Sequence, residues 1–207
     1  MNTDTQQLRD DVAFLRSLAE TGGRTQWVGG AAFFAGGALY GLQCLVQWAQ
    51  AKGFIVLSPL ATLIFVTGIT VAFAIALTLI ILHGRRTQTV APSLANKAFT
   101  TVFSAAGISN LALVAIFASV AIPRKNIEIW ELYPAALFAL QGGAWYFAYV
   151  LRRRLWLMAV SICWFVSAIV LAQFIGTVTY VLIAALALFA FMALPGLYMM
   201  HLARVAE

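Results

Sequence analysis

Charge is what this chain has least of. Asp, Glu, Lys and Arg make up 10% of its 207 residues, and apolar or aromatic residues make up 63%. A water-soluble domain carries about 25% and about 45–50% respectively. The mean hydropathy of +0.92 excludes such a domain, and with it a disordered tail, a collagen-like rod and a coiled coil. Cysteine is nearly absent: Cys44 and Cys163 both lie in apolar runs, which excludes a disulfide framework and a CxxC metal or redox motif. No Gly-x-Ser-x-Gly elbow, HExxH pair or phosphate-cradling glycine loop occurs. The serine of Gly107-Ile108-Ser109-Asn110 has no histidine at its depth to activate it. The expectation is a protein that is not an enzyme.

What is present is apolar length. Six runs, 27–49, 58–82, 98–122, 134–151, 155–175 and 178–202, contain no Asp, Glu, Lys or Arg. A helix needs about 20 apolar residues to cross the hydrocarbon layer. Backbone groups in lipid must pair within each segment, so the runs predict an all-α bundle of six transmembrane helices. The stretch before residue 27 lacks the apolar core and cleavage site of a signal peptide, and none is expected.

The placement of the bases predicts orientation. Arg9, Arg16, Arg24, Arg85, Arg86, Lys97, Arg152, Arg153, Arg154 and Arg204 fall on one side, and only Lys52, Arg124 and Lys125 on the other. The positive-inside rule then puts both termini in the cytoplasm, in a cytoplasmic (inner) membrane. The partner of such bases is the lipid bilayer, and no nucleic acid is expected. The tight turns at Arg152-Arg153-Arg154 and Gly176-Thr177 predict antiparallel neighbours. Odd- and even-numbered runs resemble one another weakly, as three helical hairpins in series would.

Residues 1–24 form an expected cytoplasmic domain, and 25–207 the membrane domain. Thr3, Asp4, Gln6 and Gln7 suit a capped helix start, and Gly22-Gly23 a stop. Leu8, Val12 and Leu15 line one face of this amphipathic helix. Asp4, Asp10, Asp11 and Glu20 outnumber Arg9 and Arg16, whereas a helix lying on lipid is normally basic. The helix is therefore expected to dock its stripe on protein, with Asp10 or Asp11 near the basic turns. That protein is its own bundle, a second copy or a soluble regulator.

Within the runs, small-residue pairs (Ala31/Ala35, Ala32/Gly36, Gly37/Gly41) and the ridge Ala135, Ala139, Gly143 predict close helix packing inside the bundle, or a dimer seam. Neutral polar residues offer two readings. Gln43, Gln47, Ser109, Asn110 and Gln141 line a polar cleft, or they make ordinary interhelical hydrogen bonds. His83 and His201, at matched depth, either ligate a haem or a metal or snorkel to the interface. Trp145, Tyr146, Tyr149 and Trp164 form a pigment- or sterol-binding face, or plain packing. Residues 123–134, with Glu128 and Glu131, fit a short surface helix. Three functions follow in order: a non-enzymatic membrane module that assembles with or regulates a partner protein, a small channel or facilitator for a neutral solute or lipid, and a haem or pigment binder. No cofactor is required by the first two.

Overall fold

The computed structural model describes the backbone of residues 2–87 and 94–205, and the side chains of 26–86 and 94–205. Among the described residues it is all helix: α1 Asn2–Ala51, α2 Pro59–Thr87, α3 Leu94–Arg124, α4 Ile127–Arg152, α5 Leu155–Gln173, α6 Val178–Leu188, a π-helical turn Phe189–Ala193, and α7 Leu194–Val205. The last three form one rod. Among the described residues five stretches are long and apolar enough to cross a membrane: Gln26–Ala51, Pro59–Arg86, Leu94–Arg124, Leu155–Gln173 and Val178–Val205. The molecule thus has the make-up of a helical membrane bundle. The 26-residue α4 has the length but is less apolar, because Gln141-Gly142-Gly143 and Trp145, Tyr146 and Tyr149 interrupt its run. It is also well enclosed, burying Phe138, Gly142, Trp145 and Ala148 against protein, and a face turned to protein does not require the apolarity of one turned to lipid.

Two sequence expectations are corrected by helix boundaries. Gly22-Gly23 does not stop a helix, since α1 runs through it to Ala51. Each glycine costs a helix interior about 1 kcal/mol, which weakens it without ending it. The side chains of Leu8, Val12, Leu15, Asp10 and Asp11 lie outside the described residues, and so does the docking expected of them. Residues 127–133 are not a separate surface helix but the first turns of α4. Asn126 caps them, its Oδ1 accepting from the Glu128 N–H at 2.9 Å, and Pro134 is tolerated inside the helix.

The organiser of the bundle is α1. It packs on α2, α6, the π turn and α7, and touches α3, while α4 pairs with α3 and, most extensively, α5. The first helix pairs more closely with the last than with the second. Glycine makes this possible. A Cβ on Gly30 would lie 2.7 Å from the Gly196 carbonyl oxygen, and one on Gly37 would strike the backbone of the π turn at Leu188 and Ala193. Backbones this close gain packing energy where lipid supplies no hydrophobic drive. The other expected ridge differs. Ala139 and Gly143 are exposed, and the small residues that α4 buries are Ala135, Gly142, Ala144 and Ala148.

Within the π turn a backbone acceptor lacks its helical partner. Pro195 has no N–H to give the Phe191 carbonyl four residues back. The fully buried Trp164 of α5 takes that acceptor, its indole N–H donating to it at 3.1 Å. A lipid-embedded carbonyl left without water thus finds a partner in a neighbouring helix.

Candidate functional site

Contacts between helix ends sort the charges. At one end the Trp27 ring lies 5.8 Å from that of His83, which joins the start of the first apolar stretch to the end of α2. Arg152 donates to Asn96 Oδ1 at 3.1 Å, joining the end of α4 to the start of α3. Trp156 meets Tyr198 at 5.3 Å, which brings in α5 and α7. Arg85, Arg86, Lys97, Arg152, Arg153, Arg154 and Arg204 all gather at this end, with no carboxylate among the described residues. The opposite end is marked by Gln50 donating to Thr62 at 2.9 Å, and by the Gly176 N–H donating to Glu131 Oε2 at 2.6 Å. It holds Lys52, Arg124, Lys125 and both described carboxylates, Glu128 and Glu131.

Arg152 differs from the other bases at its end. They are exposed, while Arg152 is half-buried with its guanidinium carbon 4.5 Å from the centroid of the Phe99 ring. Burial holds its pKa below the usual arginine value, and Arg154 pushes in the same direction. Next to it the chain turns through Arg153 in the left-handed region, φ 53°, where glycine is favoured. Behind it runs an aromatic stack: Phe99 to Phe103 at 4.7 Å, Phe103 to Trp145 at 5.5 Å, Trp145 to Trp156 at 6.0 Å. Both indole N–H groups are buried with no hydrogen-bond acceptor among the described residues. Trp145 and Trp164 are core residues here, whereas Tyr146 is exposed.

The expected polar residues do not converge. Ser109 is exposed on α3. Asn110 accepts from the Tyr133 hydroxyl at 2.7 Å, an interhelical bond between α3 and α4. Gln43 and Gln141 each bury an amide oxygen with no partner among the described residues. The Phe33–Trp145 contact, 5.0 Å between centroids, sets the register of α1 against α4. At 1.5 Å per residue, Gln43 lies about 15 Å from that level toward the Glu131 end and Gln141 only about 6 Å. Gln43 and half-buried Gln47 therefore share a depth with the Asn110–Tyr133 pair, and Gln141 does not.

His83 and His201 are both exposed at the basic end. They reach α1 through different helices, His83 through α2 and His201 through α7. Among the described residues no group of three or more His, Cys, Asp or Glu is close enough to hold a metal ion.

Arg152 was hidden in the sequence inside a run of identical residues. The signal that singles it out is helical: Trp145, Ala148 and Arg152 stand at i, i+3 and i+7 on one face, and the first two are fully buried. No protein-family model matches the chain, and no curated protein or solved structure matches it.

Proposed function

We propose that the chain is a six-span protein of the cytoplasmic membrane with both termini inside, and that it is a non-enzymatic module which assembles with or regulates a partner protein. The observation that carries this is the 50-residue α1. Its membrane-length part begins at Gln26, so residues 2–25 add about 36 Å of helix continuous with it. The same rod is the element on which α2, α6 and α7 pack. A protein gripping its cytoplasmic part would pull on the centre of the bundle, with no joint between to absorb the motion. The gathering of bases at one end supports the inward orientation of that part.

The test is quantitative capture from solubilised native membranes, with the full chain and with Leu8→Asp/Leu15→Asp as baits. Both baits should elute alike on size exclusion. The proposal expects at least one protein recovered in near-stoichiometric amount by the full chain and lost with the double substitution. Equal recovery of every protein by both baits ends it.

A second reading, a facilitator for a neutral solute or lipid, is favoured by one observation: the unpartnered amide oxygens of Gln43 and Gln141. It expects vesicles containing the protein to admit a small neutral solute such as glycerol faster than empty ones, and Gln43→Leu to abolish the difference. Equal rates with and without protein remove this reading.

A further inference from the structure

At the basic end one cation is built into the bundle rather than set upon it. Arg152 lies in the α3–α4 seam, half-buried, stacked on Phe99 and tied to Asn96. A guanidinium withdrawn from water needs a counter-charge. Asn96 offers a neutral oxygen. The described carboxylates, Glu128 and Glu131, stand at the far end of the same helix, roughly 30 Å away at 1.5 Å per residue. A guanidinium carries five N–H donors in a planar fork, so beyond the bond to Asn96 it retains enough for a bidentate oxyanion.

The position of the fork narrows the oxyanion. Arg152 follows directly on the last apolar residue of its run, at the depth where lipid phosphates lie. Lys97 and Arg153 flank the seam, and both are exposed. We infer that the α3–α4 seam is a binding site for an anionic glycerophospholipid, its phosphate held by the Arg152 fork and drawn in by Lys97. That the leaflet is the cytoplasmic one rests on the orientation proposed above, but binding in detergent does not depend on orientation, so the two can fail separately.

Native mass spectrometry of the full chain in detergent, titrated with phosphatidylglycerol and with diacylglycerol of equal chain length, which lacks the phosphate, tests the site. Wild type should retain phosphatidylglycerol about ten-fold better, as a charge-assisted bidentate contact implies. Arg152→Gln should bring that preference below two-fold. Arg153→Gln, which removes an exposed charge from the same turn, should leave it within about two-fold of wild type. If Arg152→Gln does not fold, Arg152→Lys keeps the charge without the fork and should still lose most of the preference. Four results overturn the site. They are equal retention of both lipids by wild type, equal losses in the Arg152 and Arg153 variants, displacement of the lipid by millimolar inorganic phosphate, and a several-fold gain in Asp10→Asn/Asp11→Asn. The last would mean that the chain's own carboxylates occupy the fork.

Discussion

Replacing Trp164 by Phe should destabilise the bundle by about 2–3.5 kcal/mol, in two parts that can be separated. The indole N–H donates to the Phe191 carbonyl at 3.1 Å, and Phe cannot. Polar contacts between membrane helices average only about 0.6 kcal/mol, because helices apart in the bilayer find other partners. This acceptor is different. Pro195 denies it an N–H in the isolated helix as well, so nothing in the separated state replaces Trp164, and about 1–1.5 kcal/mol is the better figure. The smaller ring also leaves a void at a fully buried position, worth about 1–2 kcal/mol. Pro195→Ala restores an N–H at position 195 that can reach Phe191. In a double-mutant cycle Pro195→Ala should therefore cost about 1 kcal/mol less in the Trp164→Phe background than in wild type. SDS titration of refolded protein in mixed micelles, followed by circular dichroism, measures all four species. Strict additivity, or a Trp164→Phe cost under 1 kcal/mol, would refute the reasoning.

The close approaches and the turn at Gly176 are open to the same kind of test. Gly37→Ala should cost about 1–3 kcal/mol in the same titration, because the new methyl meets backbone at Leu188 and Ala193 that cannot rotate away. Gly143→Ala, where nothing lies within 4 Å, should be neutral or slightly stabilising, and equal costs at the two sites would contradict the packing described. Glu131→Ala removes the acceptor of the Gly176 N–H, so amide hydrogen exchange at Gly176 should speed up while that at Leu171, inside α5, stays unchanged.

How far the sequence reveals the molecule depends on the kind of force involved. Apolar length marks the membrane helices, because lipid imposes one requirement on every residue of a span. The turn at Arg152-Arg153-Arg154 is legible for a similar reason, since bases mark span ends. Helix pairing is not so readable. Gly30, Gly37 and Gly143 look alike in sequence, yet two lie against backbone and the third in open space, because the partner's shape decides the matter. The bond from Trp164 to the carbonyl that Pro195 leaves open joins two helices, a coupling no local pattern displays. Gly22-Gly23 misleads as a stop because a cost of about 1 kcal/mol per glycine weakens a helix interior without ending it. Among the site candidates, Arg152 emerges only once α4 has a face, whereas Ser109 and Asn110, adjacent in sequence, part onto different faces of α3.

The account stands most directly on a six-span topology, and α4 is the helix on which that count turns. A reporter active only outside the cytoplasm, fused in turn after Gly53, Asn126, Gly176, Arg86, Arg153 and Glu207, reads every crossing. The account predicts activity at Gly53, Asn126 and Gly176, and silence at Arg86, Arg153 and Glu207. Activity at Arg153 would mean that α4 does not cross, and activity at Arg86 would reverse the orientation on which the cytoplasmic role of α1 depends.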